Sequence, residues 1–479
     1  MKKVSIFLLL ALILSSVSCV DEKPGEVKQD DFTSELTQSE TTAPDNYKYP
    51  DKTFGGHEFV FLNVEEQSWA NALIAPEEST GETINDAMFE RNSRISDRFD
   101  VKIREEKIDL NNVASTLKNT VTAGDDVYDV CMLPIHQASG VINEDYLLDL
   151  RSIGSLNLDD EWWNSSVNDS LTIAGKLYMT TSDISFFPFE ATWGIFFNED
   201  IFSELKLDYP YELVREGKWT IDKLNEYAKA GALLGSDSAF EPYNIDGNAR
   251  YGFASHHDFP LALIFGAGES FIKVENDKPV FNAQSEKMFG IYDKIAALTG
   301  ETGAYYNWDF SLPTDAAKEF MKKRLVMCSE TLGYLSTLRS MDGNFGVLPI
   351  PKYDEGQDGY HSIIASWGTT MPPIPAPASD PERTGVILDA LAYDSYRNLR
   401  EPYYNAYLTQ KGVRNEDSAE MLDIIRNSRG FAADIALGWS SNIASAVKGQ
   451  LKLGNASVAS TIESLKAAAM KLAEESLGN

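Results

Sequence analysis

Cysteine and histidine are scarce in this chain of 479 residues, which has three cysteines and five histidines. Cys131 and Cys328 lie in apolar runs, and a single pair gives neither a disulfide framework nor the spacing of a metal site. We expect both to be buried, reduced core residues. The adjacent His256 and His257 lack the i,i+4 spacing with which a helix presents two zinc ligands. The sequence therefore predicts no metal site and no other cofactor.

The patterns of several enzyme classes are also missing. The chain has no His-Glu-x-x-His helix, no Gly-x-Ser-x-Gly turn and no phosphate-binding loop. Gly266-Ala267-Gly268 lacks the third glycine of a dinucleotide fingerprint. Basic residues are few, with 42 Lys plus Arg against 73 Asp plus Glu, which gives a net charge of −31. This excess of negative charge argues against nucleic acid as a partner, and we expect a binding protein and not an enzyme.

A short apolar run near the N-terminus predicts export. Lys2 and Lys3 precede the uncharged residues 4–14, a stretch too short for an ordinary membrane-spanning helix, and small residues follow. Ser16-Val17-Ser18-Cys19 resembles a bacterial lipobox, although that pattern usually has leucine in place of Ser16. We expect residues 1–18 to be a signal peptide and Cys19 to carry the lipid. In the alternative, the protein is secreted and Cys19 has no special role.

Residues 19–50 read as a disordered tether between lipid and folded domain, because they are polar and contain almost no large aliphatic side chains. The predicted location is the extracytoplasmic face of the membrane at the cell surface. The remaining chain, with 43% hydrophobic residues overall, is long enough for a large core and two lobes or domains.

Strand and helix patterns alternate along the body, which indicates an α/β fold. The predicted strands cover residues 57–63, 101–103, 127–133, 189–198, 324–330 and 345–350. The predicted helices cover residues 81–99, 110–122, 221–234, 285–298 and a C-terminal segment whose apolar face runs from Val458 to Leu472. Thr220 is expected to cap the helix that follows it, and Ser460 with Glu463 has the spacing of a capping box.

Several short segments, in this order, resemble the family of extracellular solute-binding proteins that serve carbohydrate ABC importers. They are Gly175-Lys176-Leu177-Tyr178, Phe196-Phe197-Asn198-Glu199-Asp200-Ile201-Phe202, Trp219-Thr220-Ile221-Asp222, Gly266-Ala267-Gly268 with Pro279-Val280-Phe281-Asn282, residues 320–327, and Gly346-Val347-Leu348-Pro349-Ile350-Pro351. The order and spacing of these segments extend over roughly residues 55–470, which is nearly all of the mature chain.

The resemblance implies an α/β, two-lobed, periplasmic-binding-protein-like (type II) fold with a hinge and a ligand cleft between the lobes. Residues 189–197 and 361–371 would be the crossings. Lobe 1 would comprise residues 51–192 plus about 366–410, and lobe 2 residues 193–365 plus about 411–479. The implied protein is a monomer that captures a sugar or oligosaccharide, closes about the hinge and delivers its ligand to the permease subunits of an ABC importer.

Candidate ligand residues are those that suit a sugar, which offers an apolar face and a rim of hydroxyl groups. The aromatic candidates are Trp69, Trp193, Trp308 and Trp367, and the polar or mixed ones are Asp183, Glu330 and Tyr334. A buried core tryptophan, a cap or a salt bridge is the competing explanation for each. Trp162 and Trp163 are expected to anchor a surface loop instead.

Two other functions stay open at this point. A secreted glycoside hydrolase needs only two carboxylates, which an acidic chain can supply anywhere. A surface protein that captures carbohydrate without an importer would share the anchor and the aromatic residues. The sequence leaves the identity and length of the sugar undecided, and another polar solute remains an alternative.

Overall fold

The computed structural model describes residues 47–67, 70–142, 144–240, 247–308, 315–376, 378–410 and 415–478, with the backbone alone for 307–308 and 406–410. The predicted signal peptide, Cys19 and almost all of the predicted tether lie outside these residues. The chain divides into Met1–Lys48 and a compact unit, Tyr49–Asn479, which is the unit described below. In the described part of the chain we find no helix with the length and apolar character needed to span a bilayer.

The strands are short, and they extend from the first described segment to residue 430. They are β1 (His57–Val64), β2 (Val101–Ile108), β3 (Val130–Cys131), β4 (Leu133–Pro134), β5 (Trp193–Asn198), β6 (Tyr251–His256), β7 (Ile272–Glu275), β8 (Lys278–Phe281), β9 (Tyr305–Trp308), β10 (Leu325–Thr331), β11 (Phe345–Leu348), β12 (Ser362–Ile363), β13 (Thr370–Met371) and β14 (Arg429–Gly430).

Helices fill the intervals between the strands and form most of the C-terminal part. They are α1 (Thr83–Phe99), α2 (Val113–Ala123), α3 (Ser139–Ile142), α4 (Ser165–Leu171), α5 (Phe187–Glu190), α6 (Glu199–Leu205), α7 (Tyr211–Arg215), α8 (Ile221–Gly231), α9 (Phe259–Gly266), α10 (Glu286–Thr299), α11 (Ala316–Met321), α12 (Leu335–Leu338), α13 (Pro381–Asp394), α14 (Arg400–Gln410), α15 (Glu416–Ser428), α16 (Ala433–Ala436), α17 (Ser441–Leu451) and α18 (Ala459–Ser476). A π-helical turn, Ser395–Leu399, joins α13 to α14.

The first sheet has the order β2-β1-β3, and its strands are parallel. The last six residues of β1 are all buried, as expected for a central parallel strand covered on both faces. Helix α1 connects β1 to β2 and buries Met88, Ile95 and Phe99. The strand–helix–strand pattern predicted here is confirmed.

The second sheet has the order β11-β5-β10-β6-β9. β10 is parallel to β6 and antiparallel to β5, and every residue of β5 and β10 is buried. Cys328 on β10 and Cys131 on β3 are both buried free thiols, as predicted. The Thr220 side chain accepts a hydrogen bond from the Lys223 amide, so the predicted cap of α8 is confirmed.

Segments 191–192 and 363–376 run between the two sheets. β13 pairs with β4, Thr192 bridges to Ile364, and β12 pairs with β14. We call the last pair the hinge ribbon; it consists of Ser362–Ile363 and Arg429–Gly430. These pairings put two stretches that are far apart in sequence side by side where the chain leaves one sheet for the other.

Three local predictions were wrong. The strand expected over residues 127–133 is two separate pairs of residues, because β3 pairs with β1 whereas β4 pairs with β13. The strand expected from residue 189 begins at Trp193, since residues 187–190 form a helical turn with Pro188 at its start. The C-terminal helix begins at Ala459 after buried Val458, so Ser460 lies inside it and makes no cap, and Leu472 is exposed.

Candidate ligand-binding site

One edge of the second sheet collects the carboxyl ends of three strands. His256 is in register with Trp308, so β6 and β9 end together, and Thr331 at the end of β10 is in register with Trp193 at the start of β5. Open α/β sheets bind their ligands beyond the carboxyl ends of parallel strands. This edge is therefore the first place to look for a site.

A pocket of about 290 Å³ lies at this edge. It is lined by the turn after β4, the start of β5, the start of α9, the segments that follow the two strands of the hinge ribbon, and helices α16 and α17. We call it the front pocket. Its walls include His136, Ser139, Trp193, Asp258, Ala262, Ile364, Ser366, Trp367, Phe431, Ser441, Ser445 and Lys448.

Two predicted aromatic residues, Trp193 and Trp367, both line the front pocket although 174 positions separate them in the sequence. Trp193 is 6% exposed, and its ring centre lies 5.9 Å from that of His256 and 6.4 Å from that of Phe259. Trp367 is 56% exposed in a turn after the hinge ribbon. An indole held in the wall and a second one open to solvent suit a ligand with an apolar face.

A carboxylate and an ammonium group supply the fixed charges of the front pocket. Asp258 directly precedes α9, and its Oδ1 forms an ion pair with Lys448 Nζ on α17. Burial alone would raise the pKa of Asp258, but the bond to Lys448 and the charges around it hold that pKa below its usual value. Asp258 is therefore ionised at neutral pH, and the pair presents both a hydrogen-bond acceptor and a donor.

Histidines surround this pair. His256 Nδ1 lies 3.5 Å from Asp258 Oδ2, and His257 Nε2 lies 3.6 Å from Oδ1. These three residues can each offer a ligand atom within 4.8 Å of the others, close enough to hold a metal ion. The Lys448 ammonium on the same carboxylate would repel a cation. Across the pocket, burial lowers the pKa of His136, whose Nδ1 accepts a hydrogen bond from the Gly368 amide at 3.4 Å.

Asp183, a predicted ligand residue, is buried and does not line the front pocket. Its Oδ2 lies 2.5 Å from Nε of Arg400 on α14. Burial would raise the pKa of Asp183, but Arg400 and Arg429 outweigh this effect and lower it. The carboxylate is engaged within the protein in this conformation.

Glu330 and Tyr334 lie at the end of β10 and just beyond it. Glu330 is 3% exposed, and its Oε1 has no hydrogen-bond partner among the described residues. Burial, together with the nearby charge of Asp315, raises the pKa of Glu330 well above its usual value. Tyr334 is half-buried, and burial raises its pKa as well. Neither residue lines the front pocket.

The two other tryptophan candidates are Trp69 and Trp308. Trp69 lies outside the described residues, and Trp308 is described by its backbone alone, as the last residue of β9 beside His256. Trp162 and Trp163, expected to anchor a loop, are both buried, and both donate their indole N–H to Asp389 Oδ1 at 3.0 Å.

The sequence reasoning missed His136, Asp258 and Lys448. His136 and Asp258 had a usable signal, since each is a polar residue within two positions of a buried strand end, where binding side chains collect. Lys448 had none, because it lies on a helix 190 residues from its partner.

The two sheets, the paired crossings and the pocket at the strand ends define a two-lobed binding protein. Residues 88–388 match the model of a family described as bacterial extracellular solute-binding proteins, so the chain belongs to that family. The resemblance expected from the sequence is thereby confirmed, and the family is one of binding proteins that work outside the cytoplasm. No curated protein matches the chain significantly.

Solved structures with the same fold are distant in sequence. The cyclic α-maltosyl-1,6-maltose binding protein of Arthrobacter globiformis is 13% identical with a TM-score of 0.60, covering 88% of this chain and 99% of its own. The GacH receptor of Streptomyces glaucescens, solved without ligand and with acarbose, has 13% identity, a TM-score of 0.55 and the same coverages. The lacto-N-biose-bound protein of a Bifidobacterium longum ABC transporter has 13% identity, a TM-score of 0.56 and coverages of 86% and 98%.

Proposed function

We propose that this chain is an extracytoplasmic substrate-binding lipoprotein that captures a sugar or oligosaccharide in the front pocket and delivers it to an ABC importer. One observation carries the proposal: Trp193, Trp367 and the ionised Asp258–Lys448 pair all line the same pocket. Indole faces suit the apolar side of a sugar ring, and charged hydrogen-bonding groups suit its hydroxyls. The structural relatives named above, whose own ligands include oligosaccharides, support this choice of ligand.

We propose the bounds of the two lobes, and the strand pairing supports them. We assign residues 51–192 plus about 366–410 to lobe 1 and residues 193–365 plus about 411–479 to lobe 2. The front pocket then lies between the lobes, with His136 on one side and Trp193 and Asp258 on the other. Rotation about the hinge ribbon would open and close it, so that the ligand selects the closed form.

The front pocket has the wrong set of groups for a glycoside hydrolase. Such enzymes need two carboxylates on either side of the scissile bond. Among its described lining residues the front pocket has one carboxylate, Asp258, and this group is paired with Lys448. Five other residues stay proposed ligand residues: Trp69, Trp308, Asp183, Glu330 and Tyr334.

The first test is Trp367→Ala in the full-length protein. Because Trp367 is exposed, its removal should leave the melting temperature unchanged but weaken sugar binding about ten- to hundredfold. The measurement is thermal shift followed by calorimetric titration against a panel of oligosaccharides, with peptides and polyols for comparison.

Leu453→Ala is the matched control, since Leu453 is 72% exposed and lies outside the front pocket. Equal affinity in wild type, Trp367→Ala and Leu453→Ala would place the sugar elsewhere. Stabilisation by peptides alone would retain the binding function and refute the sugar, and release of a chromogenic aglycone would favour the hydrolase.

The lipid anchor has its own test in Cys19→Ser. Thioether attachment of a lipid requires the Cys19 sulfur, so the variant should lose label from a radioactive fatty acid and leave the membrane fraction. Retention of both the label and the membrane location would refute the anchor.

Delivery to an importer has a separate test. Loss of sugar uptake on deletion of a neighbouring permease gene would support importer delivery, whereas unchanged uptake would favour a capture protein without an importer.

A further inference from the structure

The hinge ribbon separates the front pocket from a larger one of about 700 Å³, which we call the rear pocket. Ile363 of the ribbon lines the front pocket, whereas Arg429 and Gly430 line the rear pocket, and Phe431 contributes to both. Helix α4 and the exposed face of α15 form the outer walls of the rear pocket. A molecule bound there would contact both proposed lobes on the opposite side of the hinge from the proposed sugar.

The acidic side chains of the rear pocket already have partners. Glu420 Oε2 lies 2.6 Å from an Arg215 nitrogen, and Asp423 Oδ1 lies 3.1 Å from an Arg426 nitrogen. Arg215 also pairs with Glu212 and Asp417, so the Glu420 side of the pocket keeps a net negative charge, whereas Asp423 is balanced by Arg426. The pocket's remaining polar groups are uncharged, apart from one guanidinium group.

That guanidinium belongs to Arg429. It forms no ion pair with any described residue, and its Nε is buried without a hydrogen-bond partner among them. Its central carbon lies 5.7 Å from the ring centre of Phe189. Asp183, the carboxylate whose charge it feels, is held at 2.5 Å by Arg400. An unpaired buried N–H is costly, and the partly buried Arg429 side chain lines the rear pocket, so a ligand acceptor at this position would stabilise it.

A second buried donor lies beside it. Tyr404 packs against the same Phe189 ring, with centres 5.2 Å apart, and its hydroxyl also has no partner among the described residues. Donors therefore outnumber acceptors around Phe189. This surplus is specific to the Arg429 side of the rear pocket, since the Asp423 side is balanced by Arg426.

We infer that the rear pocket is a second binding site, for a small molecule that carries an oxyanion, either a carboxylate or a phosphate, with Arg429 as the residue that binds the anionic group. The aromatic rings of Phe265, Tyr360 and His361 offer apolar contact to the rest of such a molecule, and Ser166, Ser170 and Asn427 offer hydrogen bonds. This inference about the rear pocket does not depend on which ligand the front pocket binds.

The test is calorimetric titration of the full-length protein with four probes: inorganic phosphate, glucuronate, glucose 6-phosphate and uncharged glucose. Wild type and Trp367→Ala should bind at least one anionic probe, and Arg429→Gln should bind it about ten- to hundredfold more weakly because a charge-assisted hydrogen bond is lost. Phosphate binding would identify a free anion as sufficient. Binding of glucuronate or glucose 6-phosphate alone would identify an acidic sugar.

A structural role for Arg429 would give a different result. If Arg429 serves a ligand, Arg429→Gln in buffer without phosphate or carboxylate should melt at the same temperature as wild type or higher, since a partly buried charge without an ion-pair partner has gone. A lower melting temperature together with unchanged anion affinity would overturn the inference. So would the failure of all three anionic probes to bind wild type. Intact oligosaccharide binding by Arg429→Gln would show that the front pocket is unaffected in either case.

Discussion

Replacing Asp389 by alanine is expected to lower the free energy of unfolding by about 2–6 kcal/mol, because it leaves buried hydrogen-bond donors without their acceptor. Asp389 is buried on α13 and accepts four hydrogen bonds from one loop. They come from the amide and side chain of Asn157, at 3.2 and 2.7 Å, and from the indoles of Trp162 and Trp163, each at 3.0 Å.

The size of the effect follows from what the substitution leaves behind. Alanine removes the acceptor but not the donors, so two indole N–H groups stay buried without partners, each at a cost of about 1–3 kcal/mol. The measurement is urea unfolding followed by tryptophan fluorescence and by circular dichroism. Both probes should report the same lower midpoint.

Asp159→Ala is the matched control, because the Asp159 side chain lies in the same loop and is fully exposed, with one long contact of 4.0 Å to Arg151. It should change the free energy of unfolding by less than about 0.5 kcal/mol. If Asp389→Ala instead shifted the tryptophan emission without changing the midpoint, the loop would be an independent flap and not part of the cooperative unit.

Replacing Glu330 by glutamine is expected to raise stability, by an amount that grows with pH. Glutamine keeps the shape of the side chain but has no charge to desolvate. In the wild type, burial and the charge of Asp315 raise the pKa of Glu330 well above its usual value, so the folded state holds a proton that the unfolded state releases.

Proton binding and folding are linked, and this linkage decides whether stability rises or falls with pH. Above the unfolded pKa of about 4.3, the folded state binds more protons than the unfolded one. Wild-type stability therefore falls as pH rises, at no more than about 1.4 kcal/mol per pH unit from this group, until the folded pKa is reached. Glu330→Gln lacks this contribution, so its advantage over wild type should be small near pH 4 and should grow as the pH rises towards 8.

Urea unfolding of both proteins at pH 4, 6 and 8 measures this difference directly. Glu90→Gln is the control, because the Glu90 side chain is 71% exposed and its replacement should change the free energy of unfolding by less than about 0.5 kcal/mol. A constant difference between Glu330→Gln and wild type across this range would mean that Glu330 is ionised in the folded state. Its buried oxygen would then need a partner that the described residues do not provide.

The sequence by itself determined the class of protein and those elements whose signals are local. β1 and α1 followed from hydrophobic periodicity, and Thr220 marked the start of α8 because a cap depends on residues three positions apart. The ordered family segments predicted a membership that the match over residues 88–388 confirms. Trp193 and Trp367 could be proposed together because both fell on predicted crossings.

The tertiary structure alone decided which polar side chains line the front pocket. Asp183 and Asp258 are equally plausible ligand residues in the sequence, but Arg400 engages the first from 217 positions away, and the second lines the front pocket with Lys448 from 190 positions away. The break between β3 and β4 likewise depends on which distant strand each one pairs with. Periodicity and caps report neighbours along the chain, whereas the partner of a charge or a strand is set by long-range packing, which no local pattern encodes.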